Sequence, residues 1–344
     1  MTAGSVLVVR PDNDGDVLLS GPTVRAVAGN AERVVYLCGP RGRHAAGLLP
    51  GIDEVLSWHC PWIDADPLPV DRAGILSLVD MLAGQRLDAA LILTSFHQSA
   101  LPTALVLRMA GIPRVDAVSE DYPGSLLDLR HRLPETGLHE VERMLSLAED
   151  AGYPLPPGDD GRLAVRRPLP DTSAVTGPGP YVVVHPGASV PARAWSPHKS
   201  AELVAHLAAA GRRVLVTGSP AERELTRQVA GRHGTDVGGA TDLAGLADVL
   251  DRADVVVVGN TGPAHLAAAV GTPVVSLFAP TVPAERWRPW RVPQVLLGDQ
   301  IAPCADSRAR VCPVPGHPCL DGVPVAQVAE AVTALCSRPV EVGS

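Results

Sequence analysis

The sequence predicts an α/β chain built as two Rossmann-like domains, each a parallel sheet with helices on its faces. Three observations carry this expectation. The chain has 344 residues, more than one hydrophobic core usually serves. Short β-branched runs alternate with helical patterns of about 10–15 residues, which is how βαβ units read. A Pro- and Gly-rich stretch then separates one such series from a second. The composition agrees: 46% hydrophobic and 19% charged residues mark a globular chain, and the 33 Gly and 34 Pro punctuate apolar runs as ordered turns do.

In the first half, SVLVV (5–9) is a strand followed by an apolar-periodic helix over 17–27. VVYLC (34–38) precedes a short helix near 42–49, and EVLSW (54–58) ends the next strand. A helix over 71–84 leads to AALILT (89–94), a helix over 100–110 and RVDAV (114–118). Helical pieces around 139–151 come before PLPPGDDGR and PDTSAVTGPGP, which read as an interdomain linker. The second series opens with YVVVH (181–185), then a helix with Ser196 as N-cap, Pro197 in its first turn and Gly211 as its stop. RVLVTG (213–218), a helix over 221–232, a short strand near 236–238 and a helix over 242–251 follow. DVVVVG (254–259), a helix from Pro263 to Val270, PVVSLF (273–278) and a closing helix over 325–336 complete it. The expected domains are residues 1–175 with the linker, 176–324, and a closing helix and tail over 325–344.

Several function classes are disfavoured. The net charge of −8, with no basic block, argues against a nucleic-acid partner. No apolar stretch reaches the ~18 residues of a membrane span, and the N-terminus enters a strand without a basic leader, so a cytoplasmic protein is expected. In such a chain, six cysteines do not make a disulfide framework. Cys304, Cys312, Cys319 and His317 lack the C-x2-C knuckle of a zinc site, which favours packing of a Pro-rich loop over a metal.

In open parallel sheets, ligands bind beyond the carboxyl ends of the strands. Loops 10–16, 186–195, 218–222 and 259–262 occupy such positions, and two sheets facing each other would line one cleft with all four. RPDNDGDVLLSGP (10–22) places Asp12, Asp14 and Asp16 in alternation. An EF-hand would need Gly and Glu where Val17 and Thr23 stand, and a dinucleotide cradle would need a third glycine beside Gly15 and Gly21. What remains is a carboxylate mounted at a strand-to-helix turn. In GNTGPAHLAAAVGTP (259–273), Thr261 is positioned to cap a helix whose first N–H groups, Gly262 to His265, suit a phosphate; an ordinary capped helix is the bland alternative. HPGASVPARAW (185–195) offers Gly187, Ser189 and Arg193 to an anion, while His185 reads as a satisfied core histidine. GSPAERE (218–224) offers Glu222 or Glu224 to ribose hydroxyls, or simply to solvent.

The opening VLVVRPDNDGDVLLSGP, the HPGAS…RAW segment, the GSPAE turn, NTGPAHLAAAVGTPVV and LFAPTVPAERW together resemble family 9 glycosyltransferases, the ADP-heptose:lipopolysaccharide heptosyltransferases and their relatives. The similarity runs in order over residues 5 to 335. It implies a GT-B fold: two Rossmann-like domains whose parallel sheets face an interdomain cleft, the nucleotide sugar on the C-terminal one and the acceptor on the N-terminal one. Residue by residue, Asp16 matches the family's catalytic base and Arg193 the basic residue at the donor diphosphate. Ser189 matches a hydroxyl residue near the phosphates and Glu222 the acid at the ribose. Thr261, Gly262 and His265 match the phosphate-binding helix start. Asn260 stands where the family commonly has an Asp touching the donor sugar.

The resemblance thus implies an inverting heptosyltransferase-like enzyme of lipopolysaccharide core synthesis type, using an ADP-sugar without cofactor or metal. Its acceptor would be a saccharide, a glycolipid or a small molecule, the glycolipid case adding a transient contact with the cytoplasmic membrane face. A sugar-nucleotide epimerase of the same architecture and a non-catalytic nucleotide-sugar binder are the alternatives. Arg130, His131 and Arg132 read as a solvated basic surface, with contact to an anionic acceptor as the alternative.

Overall fold

The computed structural model describes residues 3–64, 66–133 and 137–337. The chain divides into two compact units, Met1–Arg166 and Arg167–Ser344. The first holds strands β1 (Ala3–Arg10), β2 (Ala31–Cys38), β3 (Glu54–Ser57), β4 (Ala89–Ile92), β5 (Arg114–Val118) and β6 (Leu129–His131) in the order β3-β2-β1-β4-β5-β6. The second holds β7 (Val182–His185), β8 (Val214–Val216), β9 (Thr235–Asp236), β10 (Val255–Gly259), β11 (Val274–Leu277) and β12 (Gln294–Leu297) in the order β12-β11-β10-β7-β8-β9. Read from each unit's own third strand, both sheets have the doubly wound order 3-2-1-4-5-6, and every strand pair described is parallel.

Central strands buried on both faces need apolar residues at every position. Val6, Leu7, Val8 and Val9 of β1 are fully buried, as are Val255, Val256, Val257 and Val258 of β10, at 1% exposure or less. The chain reverses its winding between β1 and β4 in the first sheet and between β7 and β10 in the second. In open sheets of this kind such switch points are where ligands commonly bind.

The structure departs from the sequence reading in particular places. The helix expected over 17–27 is two helices, Asp14–Leu19 and Gly21–Ala28, because Pro22 has no N–H to continue the first and the Ser20 hydroxyl caps back onto the Val17 carbonyl at 2.6 Å. Strands β6 and β12 were not anticipated: both are short strands at a sheet edge, and β6 carries Arg130 and His131. Ser196 precedes the helix Pro197–Ala209 but makes no side-chain capping bond. The linker is tied down at both ends. Arg25 grips Asp159 with two hydrogen bonds of 2.6 and 2.8 Å, and the Arg166 N–H reaches the Leu48 carbonyl at 2.7 Å within the first unit. Its neighbour Arg167 pairs instead with Asp251 at 2.6 Å, and Asp248 accepts both the Thr172 N–H and hydroxyl, at 3.0 and 2.6 Å, within the second. The chain therefore changes allegiance between two adjacent arginines.

Candidate active site

The first unit's switch point is built around a charge that the sequence reading passed over. Arg10, the last residue of β1, is fully buried. Its Nη2 donates to Asp16 Oδ1 at 3.0 Å and to Ser95 Oγ, just beyond β4, at 2.9 Å. Its Nε lies 3.0 Å from Asp12 Oδ2, and Glu140 Oε2 stands 3.6 Å from Nη2. Burial works against this guanidinium's charge, but Asp12, Asp16 and Glu140 together outweigh it and hold the group above its ordinary value. Glu140 begins the helix Glu140–Asp150 and also lies 3.7 Å from Arg143, which donates to the Thr94 carbonyl.

The three aspartates of the opening loop have separate tasks. Asp14 accepts the Ala45 N–H at 3.1 Å and so fastens the neighbouring helix Arg43–Leu48. Asp12 has both oxygens engaged, Oδ1 taking a 2.7 Å bond from Gln98 and Oδ2 facing Arg10. Burial, with the nearby Asp16 charge, pushes Asp12 up to about 6 against the opposing pull of Arg10 and Gln98. Asp16 is the most open of the carboxylates around Arg10, its side chain 25% exposed against 10% for Asp12 and 0% for Glu140. Gly15 lies inside the helix Asp14–Leu19.

The donor-site residues expected from the sequence all lie in the second unit, around the β7–β10 switch point. Two glycines explain the close packing there. A Cβ on Gly187 would stand 2.0 Å from Glu222 Oε1, so only glycine lets that carboxylate lie across the loop after β7. A Cβ on Gly259 would stand 2.6 Å from the Arg193 carbonyl, so the 3-10 turn Pro191–Arg193 rests directly on the end of β10. Glu222 Oε2 is occupied by the Ser219 N–H and hydroxyl at 2.7 and 2.8 Å, leaving Oε1 as the oxygen turned to the Gly187 loop. Ser189 is exposed and Arg193 half-buried on the same loop. His185 is buried with Nδ1 2.9 Å from Thr217 Oγ1, and burial, opposed by Glu222, holds it below its ordinary value, so it is a neutral core histidine.

Two expectations at the start of the helix Gly262–Val270 are corrected, the Thr261 side-chain cap and the outward N–H groups of Gly262 to His265. Thr261 occupies the N-cap position with extended backbone but makes no side-chain capping bond. Pro263 has no N–H, and the Ala264 N–H closes onto the Thr261 carbonyl at 3.0 Å, so the donors at this helix start are fewer than expected and the Gly262 N–H stands at its tip. His265 is buried within the first turn. Asn260, expected at the donor sugar, is 6% exposed and spends its amide on the main chain of Ala279: Nδ2 donates to the Ala279 carbonyl and Oδ1 accepts the Ala279 N–H, both at 3.2 Å. It extends the β10–β11 pairing by a side chain.

The late cysteine-containing stretch braces the donor loop. His317 Nε2 lies 3.0 Å from the Ala192 carbonyl, and the Ala192 N–H donates to the Arg310 carbonyl at 3.0 Å. Cys304 and Cys319 are buried in the core of the second unit, burial pushing the Cys319 thiol up to about 12, while Cys312 points at the Val314 carbonyl. Among the described residues no group of three or more His, Cys, Asp or Glu side chains is arranged to hold a metal ion. The basic surface expected at 130–132 is mostly spent: Arg130 donates to the Ser119 and Glu120 carbonyls, and His131 is buried between Asp150 (2.7 Å) and Ser146 (3.0 Å). Only Arg132 of the three is exposed.

Two stability predictions come from this geometry. An acid raised by burial contributes stability that is full below its unfolded value, near 3.8 for Asp12, and is lost as pH rises through about 6. Asp12→Asn should therefore flatten the decline of unfolding free energy between about pH 4 and 6; urea titrations across that range with the same slope in both proteins would contradict it. Asn260→Asp keeps the acceptor for the Ala279 N–H but turns a second oxygen against the Ala279 carbonyl in a buried place. It should cost about 2–4 kcal/mol of stability, and thermal unfolding at an unchanged temperature would show the clasp to be dispensable.

Comparison with known proteins agrees with this architecture. Residues 75–317 match the model of glycosyltransferase family 9 (heptosyltransferase). Lipopolysaccharide heptosyltransferase 1 of Pseudomonas aeruginosa is 38% identical over 225 residues, covering 62% of this chain and 61% of that one, so the match spans less than two thirds of that relative's length. Among solved structures, a family 9 glycosyl transferase from Veillonella parvula superposes with a TM-score of 0.78 at 16% identity, covering 98% of both chains. Escherichia coli heptosyltransferase WaaC, solved with ADP-2-deoxy-2-fluoro heptose, superposes at 0.72 with 20% identity over 96% of this chain and 99% of that one. The fold is GT-B, and by the extent of the match the chain belongs to glycosyltransferase family 9, the heptosyltransferase family.

Proposed function

We propose that the chain is an inverting glycosyltransferase that moves a heptose-like sugar from an ADP-sugar donor to an acceptor hydroxyl. The observation that carries this is the Asp16 carboxylate, displayed at the carboxyl end of β1 with one oxygen anchored on a buried Arg10 and the side chain a quarter exposed. Membership of the heptosyltransferase family supports the transfer, and the ADP-fluoroheptose bound by its WaaC relative supports the donor class.

In this reading, Asp16 takes the acceptor hydroxyl's proton as that oxygen bonds to the anomeric carbon. The bond from the anomeric carbon to the diphosphate oxygen breaks, its electron pair leaves with ADP, and the configuration inverts. The growing charge on the diphosphate is met by Arg193, by the Gly262 N–H and by the positive end of the Gly262–Val270 helix. With the charge met in that way, transfer needs neither a cofactor nor a metal. Glu222 Oε1 would accept the ribose hydroxyls, Ser189 would face a phosphate, and Thr261, with no capping duty, would be available to the same anion. His265 belongs to this helix start as a buried support, and Asn260 acts on the donor pocket through the backbone of Ala279. The acceptor is a saccharide, a glycolipid or a small molecule; no helix among the described residues is long and apolar enough to cross a membrane.

Asp16→Asn should lower turnover by ~10²-fold or more, the usual size of a general-base contribution, with donor affinity little changed. Release of ADP from ADP-heptose in the presence of acceptor is the assay. Turnover at the parent rate would remove Asp16 from the mechanism.

A further inference from the structure

We propose that Arg10 is the positioning residue of the transfer, acting on the reaction only through the Asp16 carboxylate that it holds. This rests on the reading of Asp16 as the base and adds to it a residue that touches no substrate. Three observations converge. Arg10 has no exposed surface, which separates it from any acceptor. Its single Nη2 is shared by groups from three elements: Asp16 in the first turn of the helix Asp14–Leu19, Ser95 after β4, and Glu140 at the start of the helix Glu140–Asp150. Among the described residues, the hydrogen bond made to the Asp16 side chain is the one from Arg10 Nη2.

The planar fork matters as much as the charge. Nε faces Asp12 while Nη2 serves Asp16 and Ser95, and a guanidinium holds those directions rigidly. An ammonium is one point on a flexible stem and would reach only some of these partners. Held in this way, Asp16 presents its remaining oxygen in one direction, and a misplacement of about 1 Å at such a group costs ~10²-fold in rate. Gln98 reinforces the arrangement from the β4 side by donating to Asp12 at 2.7 Å and accepting the Ser95 N–H at 2.8 Å.

The bland account of a buried arginine is that it only stabilises the fold, and a double-mutant cycle separates the two. Asp16→Asn, Arg10→Met and their double variant are assayed for kcat and for the KM of ADP-heptose, with Arg10→Lys as the conservative variant. If Arg10 works through Asp16, each single loses ~10²-fold in kcat, the double loses no more than either single, and the KM for donor stays constant throughout. Arg10→Lys should recover about a tenth of the parent rate. Losses that multiply in the double variant, or a donor KM that rises with the fall in kcat, overturn the proposal. An Asp16→Asn variant with full turnover points instead to failure of the base assignment. Should Arg10→Met not fold, crystals of Arg10→Lys decide: Asp16 should leave its present rotamer, and a carboxylate that stays in place would refute the assignment without any activity measurement.

Discussion

Burying a guanidinium at the end of a strand is costly, and the first unit is arranged around meeting that cost. A charge with no exposed surface survives only where opposite charges and hydrogen-bond partners surround it. Around Arg10 these come from far apart in the chain: Asp12 and Asp16 just ahead, Ser95 after β4, and Glu140 at a helix start. The same contacts that neutralise the arginine close the loop after β1 against the loop after β4 at the sheet's switch point. Asp16 is left as the one carboxylate of the set with appreciable exposure. Removing a single partner would leave an uncompensated buried charge, so fold and site are tied to the same atoms.

The second unit solves a different problem at the equivalent place. Its sheet has the same strand order, and its loops also gather after the first and fourth strands. Close backbone approach does the work: Gly187 admits Glu222, and Gly259 admits the turn that carries Arg193. Asn260 holds β10 to the segment after β11 with two side-chain bonds, and the stretch around His317 and Arg310 clamps Ala192 from outside. A rigid loop over a helix N-terminus is what recognition of a diphosphate requires. The first unit thus concentrates titratable groups and the second backbone geometry, as a division between proton transfer and anion binding would have it.

Much of this was legible in the sequence, for reasons that can be traced. The frame of two parallel sheets was visible wherever strands are buried on both faces, because they read as unbroken apolar runs such as VVVV in β10. It was invisible at β6, where Arg130 and His131 break that pattern, and at β12, a four-residue strand at the other sheet's edge. The residues alone pointed to the loops beyond the strands' carboxyl ends, leaving three aspartates open in one and Glu222 or Glu224 in another; the resemblance to family 9 singled out Asp16 and Glu222 among them. Arg10 was missed because an arginine closing an apolar run reads as the chain's exit to solvent, and its partner Glu140 lies too far along the chain for any spacing rule to connect them. The clasp of Asn260 on the main chain of Ala279 leaves no mark in the sequence. The hint that was available lay in the chemistry: an amide can donate and accept against one residue's backbone, as this one does, whereas the carboxylate common in the family cannot.

The proposed transfer is a single displacement assisted by a base at the end of β1. The most direct test is the anomeric configuration of the product, read by NMR coupling constants after transfer from an ADP-sugar of known configuration. One displacement predicts a product of inverted configuration, formed together with ADP in equal amount. A product that keeps the donor's configuration would contradict the account, because a proton acceptor on the acceptor hydroxyl does not by itself provide the second inversion that retention needs.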